Sequence, residues 1–187
     1  MQPIFTMQYG EFAVVNELSD KIKDASVFVP ASAQEKGIDL LLYRFDKERD
    51  RHSTVTIQVK MSRTYYPQGK RKQPKYPFSL WFNRFDIQDN ADWYILVGVY
   101  ALDPTELDSR AKEKTWGKIM LAFTREEMKE FMAGVKQKKD PTKEDKMFGF
   151  GFDGNKKIFQ TRGCAQERDM TQHLIENRLD EIEASFQ

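Results

Sequence analysis

Cysteine is almost missing from this chain. Cys164 is the only one in 187 residues, so no disulfide forms within the chain and a zinc ribbon is excluded. Histidine is nearly as scarce, and His52 with His173 gives a His-rich metal centre no support. Long hydrophobic runs are lacking too: the densest, over residues 94–102, has about half the ~20 residues a membrane-spanning helix needs. The first residues, Met1-Gln2-Pro3-Ile4-Phe5-Thr6, show neither the basic nor the apolar region of a signal peptide. Excess charge is absent as well. Lys and Arg number 30 against 29 Asp and Glu, a net of +1, which argues against a simple polybasic nucleic-acid binder. The expectation is a soluble protein of a reducing, cytoplasmic compartment, with no membrane attachment.

What is present suffices for a packed core: 40% of residues are hydrophobic and 13% aromatic. The length suits a single domain over residues 1–187, with a core in 1–135 and a linker, hairpin and C-terminal helix in 136–187 packed on it. Charge is segregated along the chain. Residues 44–75 carry ten basic against three acidic side chains, a net of +7. Residues 167–187 carry two basic against six acidic ones, a net of −4. Such asymmetry points to a polyanionic partner.

Apolar residues at Phe12, Val15, Leu18 and Ile22 have helical spacing and predict an amphipathic helix over 10–22. The dense apolar run 37–45, opened by Gly37, predicts a buried strand, and the alternation in 53–60 predicts a second. Three prolines and a glycine in 65–77 exclude regular structure there, leaving a basic loop with tyrosines at its ends. Further strands are expected over 78–85, 94–100 and 118–123. Thr124-Arg125-Glu126-Glu127 has the capping-box pattern of a helix start. A polar linker over 136–146, a hairpin over 148–160 and a final helix from about Met170, with Ile175, Leu179, Ile182 and Phe186 on one side, complete a mixed α/β chain. Trp81, Trp93 and Trp116 read as core or edge residues, base stacking being the alternative.

Gln58 and Lys60 are two apart on a strand and share a face, while Val59 points the other way. A hairpin-like pairing of the two strands would bring Asp39 beside them, and the first helix could add Glu11. Phosphodiester hydrolysis needs a hard cation and a positive group to offset developing negative charge. Asp39 and Glu11 can supply carboxylates, Gln58 a neutral oxygen, Val59 its backbone carbonyl and Lys60 the positive group. Arg63, Lys70, Arg71, Lys72 and Lys75 are the candidates for backbone phosphate contact.

In Gly10-Glu11-Phe12, Gly37-Ile38-Asp39-Leu40-Leu41 and Ile57-Gln58-Val59-Lys60-Met61-Ser62 the chain resembles the PD-(D/E)XK nuclease superfamily over roughly its first 100 residues. The resemblance implies a restriction-endonuclease-like α/β fold: a mixed central sheet flanked by helices, here with a C-terminal hairpin and helix. It implies a DNA endonuclease using Mg²⁺, with Mn²⁺ as a substitute. Asp39, Gln58 and Glu11 would hold metal and Lys60 would stand beside the attacking water. Gln58 departs from the commoner acidic residue, and a neutral amide is a weaker Mg²⁺ ligand. That departure leaves the alternative of a nuclease-fold module that binds nucleic acid or mediates assembly without cleavage. A structural interaction protein, forming a homodimer through its acidic C-terminal helix, is a third expectation.

Overall fold

The computed structural model describes residues 9–30, 36–47, 50–64, 75–101, 116–153 and 157–186. The chain opens with helix α1 (Tyr9–Lys21), followed by strands β1 (Ser26–Phe28), β2 (Leu40–Asp46) and β3 (Arg51–Arg63). Strands β4 (Phe78–Asn83), β5 (Trp93–Ala101) and β6 (Trp116–Thr124) lead into helix α2 (Arg125–Ala133). Strands β7 (Met147–Phe152), β8 (Ile158–Arg162) and β9 (Arg168–Asp169) precede two short 3-10 turns and helix α3 (Leu179–Ala184).

The strands form two sheets. A five-stranded mixed sheet runs β1-β2-β3-β5-β6, and β4-β7-β8-β9 make an antiparallel four-stranded sheet. In the mixed sheet β3 and β5 are parallel, Gln58 lying beside Tyr94 and Lys60 beside Leu96, while the other neighbours are antiparallel. Parallel neighbours need a long crossover, usually a helix. Here the connection passes through β4, a strand of the second sheet.

Both faces of the mixed sheet are covered. On one, Ala13, Val14 and Leu18 of α1 pack against Leu40, Ile57, Val59, Ile95 and Val97, with Ile175 and Ile182 from the C-terminal segment. On the other, Tyr94, Leu96, Leu121 and Phe123 meet Met128, Phe131 and Met132 of α2, together with Leu80, Phe82, Phe148 and Phe150 of the second sheet. This explains why β5 is buried residue after residue from Trp93 to Val97. It also explains the Phe-Gly-Phe-Gly-Phe run of β7, whose phenylalanines enter the core at every second position.

Most expected elements form, with four differences. The C-terminal helix is short: the chain makes 3-10 turns at Thr171–His173 and Ile175–Asn177, and α3 covers only Leu179–Ala184. Between the two turns Leu174 is extended (φ −56°, ψ 136°) and bridges Leu121 of β6, so its backbone serves the sheet and cannot continue a helix. The strand expected over 78–85 ends at Asn83, and it belongs with the hairpin strands in the second sheet. The segment expected as a linker is tied back on itself by a Lys136–Glu144 bridge. The short strands β1 and β9 have no hydrophobic pattern of their own and form by pairing with β2 and β8.

Candidate functional site

Strand β3 carries most of the candidate site. Its register with β2 begins at Leu40 opposite Ile57, so the residues of β3 beyond Ile57 have no β2 partner on that edge. Asp39 takes that place. Its amide donates to the Ile57 carbonyl at 2.9 Å, and its carboxylate Oδ2 accepts the Val59 amide at 2.7 Å. In an extended strand a residue's N–H and C=O project to the same side. The Val59 carbonyl therefore opens on the edge where the Asp39 carboxylate lies. The second oxygen of Asp39 has no protein partner among the described residues.

Gly37 sets the approach of this segment. Its φ of +96° lies in the left-handed region, and a Cβ there would stand 2.6 Å from the Gln88 Cβ. Asn90 closes the same contact by donating to the Lys36 carbonyl at 2.8 Å. The loop bearing Asp39 is thus seated against the loop between β4 and β5.

Gln58 and Lys60 project from the face of β3 opposite to Ile57 and Val59. Gln58 is only 6% exposed, and its Oε1 is buried with no hydrogen-bond partner among the described residues. Such an oxygen costs about 1–3 kcal/mol if nothing binds it. Lys60 is half-buried, with Nζ 5.4 Å from the centre of the Phe85 ring. Phe85 stacks on Tyr94 at 6.0 Å, and the Tyr94 hydroxyl accepts from the Gln88 amide and donates to the Gln88 carbonyl. Burial pushes the Tyr94 phenol above its ordinary pKa and so keeps that donor protonated. A cleft of about 610 Å³ lies alongside, walled by Lys60, Arg63, Trp81, Arg84 and Phe85.

The structure places the other expected residues less uniformly. Glu11 lies in the first turn of α1, where neighbouring Gly10 packs on Met61. Met61 alternates with Lys60, so the helix covers the face away from Gln58 and Lys60. Arg63 is exposed at the end of β3, on the rim of the cleft. Lys75 is ion-paired with Glu167, which also accepts from Tyr76, and this raises the Lys75 pKa. Lys70, Arg71 and Lys72 lie outside the described residues. Among the described residues no three His, Cys, Asp or Glu side chains gather to hold an ion. Asp39, the Gln58 amide and the Val59 carbonyl make a different donor set, one carboxylate with two neutral oxygens.

Two contributors escaped the sequence. Phe85 carries a hydrophobic pattern continuous with its strand, and only the chain's exit at Asn83 turns it toward Lys60. Gly37 reads as a strand opener, although its role is the close contact with Gln88. Cys164 is buried, and burial pushes its thiol pKa up, which suits an inert core residue rather than a nucleophile.

Comparison with known proteins finds no match: no family model, no curated protein and no solved structure is similar to this chain.

Proposed function

We propose that this protein is a metal-dependent endonuclease of restriction-endonuclease-like fold that hydrolyses DNA phosphodiester bonds. Support comes from the order of parts in the mixed sheet. A helix bearing Glu11, a strand entered at Asp39, a strand bearing Gln58 and Lys60, and a buried parallel strand follow one another in chain and in space. The observation that carries the reading is the unpartnered Gln58 Oε1, buried beside a residue whose carbonyl shares an edge with Asp39.

These donors suit a hard cation, which prefers one or two carboxylates completed by neutral oxygens. Asp39, Gln58 and the Val59 carbonyl would hold Mg²⁺, or Mn²⁺ in its place, with Glu11 joining from α1. Bound there, such a cation supplies a polarised phosphoryl oxygen and a water of lowered pKa. Lys60 holds its ammonium on the Gln58 side of the strand, against Phe85, and there offsets negative charge building on the phosphate. Asp39 in addition fixes the position of the Val59 peptide. Arg63 at the rim positions the DNA backbone.

A plasmid-nicking assay with Mg²⁺ tests the reading. Asp39→Ala and Lys60→Ala each lower the rate by roughly 10²-fold or more, the usual loss when a charge stabiliser is removed. Gln58→Glu tightens metal binding in a calorimetric titration. Equal nicking by wild type, Asp39→Ala and Lys60→Ala would sink the assignment. A second reading is favoured by the neutral amide at Gln58: a nuclease-fold module that binds DNA without cutting it. Salt-dependent DNA binding with no cleavage under Mg²⁺ or Mn²⁺ distinguishes it.

A further inference from the structure

Residues 84–92 join β4 to β5 without regular secondary structure, yet side chains pin them along their length. Thr56 of β3 holds two of them. Its Oγ1 donates to the Asn90 carbonyl at 2.7 Å, and its amide donates to Asp92 Oδ2 at 2.9 Å. Asp89 is ion-paired with Lys129 of α2 at 3.2 Å, and Ala91 is fully buried.

Two limbs of this connection reach the two halves of the candidate site. Toward Asp39, the Gln88 side chain occupies the space that a Cβ on Gly37 would need, and Asn90 Nδ2 donates to the Lys36 carbonyl at 2.8 Å. Toward β3, the Phe85 ring lies with its centre 5.4 Å from Lys60 Nζ. One residue joins the limbs. The Tyr94 hydroxyl accepts from the Gln88 amide at 2.7 Å and donates to the Gln88 carbonyl at 2.9 Å, while the Tyr94 ring stacks on Phe85 at 6.0 Å. Tyr94 is fully buried and stands beside Gln58 in the mixed sheet, so the core fixes its own position. Without the hydroxyl, the Gln88 amide and carbonyl lose this partner and must shift toward water. Phe85 and the contact with Gly37 shift with them.

We infer that Tyr94 is a positioning residue for the metal-dependent site: its hydroxyl on Gln88 and its ring on Phe85 set the Asp39 segment and the Lys60 ammonium together. The inference rests on the metal-site reading of Asp39 and Lys60. It goes beyond that reading by giving a role to a core tyrosine that acts only through its neighbours.

Two readouts that need no DNA test it. Mn²⁺ binding, followed by the electron paramagnetic resonance of the free ion, reports on the Asp39 half. The side-chain resonance of Lys60 in ¹³C-lysine-labelled protein, identified by its loss in Lys60→Arg, reports on the ring current of Phe85. Tyr94→Phe keeps the ring but weakens Mn²⁺ binding about fivefold, the worth of one hydrogen bond, and reduces the Lys60 displacement. Each limb alone moves one readout. Asn90→Ala weakens Mn²⁺ binding and leaves the Lys60 resonance in place. Phe85→Leu abolishes the displacement and leaves Mn²⁺ binding within about twofold of wild type. Ile182→Val, a core substitution in α3, lowers the melting temperature and moves neither readout, which separates positioning from a general loss of stability. Gln88→Gly, which loosens the same turn from outside the sheet, changes both readouts and serves if Tyr94→Phe does not fold. A change in only one readout or in neither, or a wild type that binds no Mn²⁺, overturns the inference. Nicking is scored apart. A wild type that never nicks yet shows both Tyr94 effects keeps the positioning role and loses the nuclease. Metal-dependent nicking with neither effect does the reverse.

Discussion

At the scale of single residues, burial decides the state of the titratable groups. His173 is 8% exposed, its ring stacked on Phe123 at 4.3 Å. Burial is the largest influence on it and depresses its pKa below the ordinary 6.5, with Arg178 adding to that effect and Glu127 opposing it. The unfolded chain therefore takes up a proton near pH 6.5 that the folded chain refuses. Stability is fully present above that pH and is lost as pH falls through the depressed folded value. Urea unfolding at a series of pH values should show this decline for wild type and a shallower one for His173→Phe, which keeps the stacked ring. Parallel curves for the two proteins would show that His173 does not govern the acid limb. Asp39 and Gly37 belong to the same scale, since one hydrogen bond and one left-handed φ bring the carboxylate to Val59.

At the scale of elements, α2 shows how a local signal is reused by the tertiary structure. Thr124 accepts from the Glu127 amide at 3.2 Å, and Glu127 Oε2 accepts from the Thr124 amide at 2.8 Å, completing the capping box. The same Glu127 oxygen accepts from Arg178 Nη2 at 2.7 Å. Arg178 is itself buried, paired with Glu181 and 5.2 Å from the Trp93 ring centre. The cap of α2 thereby anchors the C-terminal segment. Thr124→Ala should cost about 1 kcal/mol in chemical denaturation. Glu127→Ala should cost more, because it also strips a buried guanidinium of one carboxylate. Equal losses for the two would mean that the Arg178 pair adds nothing.

At the scale of the whole molecule, β5 joins the two cores. Trp93, Ile95 and Val97 face α1, while Tyr94 and Leu96 face the second sheet and α2. The two halves of the packing should then unfold together. Leu96→Ala should cost about 2–5 kcal/mol while tryptophan fluorescence and far-ultraviolet dichroism keep coincident transitions. Separated transitions would show that the second sheet is an independent unit. The same architecture brings β4 to the end of β3, through the Thr64–Leu80 bridge and the Ser62–Trp81 hydrogen bond, and so creates the cleft. On this view the near-neutral total charge conceals two cations, Lys60 and Arg63, that no carboxylate pairs with among the described residues and that gather at one opening.

The sequence by itself determined the local elements and the strand face shared by Gln58 and Lys60. Periodicity of two or 3.6 residues and the capping box are written in neighbouring residues. Its patterns for α1, β3, β5, β6 and α2 all reappear within a few residues of the expected ends. Only the tertiary structure decided which sheet each strand joins, that Asp39 rather than a strand partner meets the Val59 amide, and that Gln58 Oε1 is buried without a partner. It also decided that Trp81 lies against Gly149 and lines the same cleft as Lys60. These are contacts between residues some twenty to seventy positions apart. Their free energy depends on long-range packing, as at Leu174, where a bridge to β6 overrides a helical pattern.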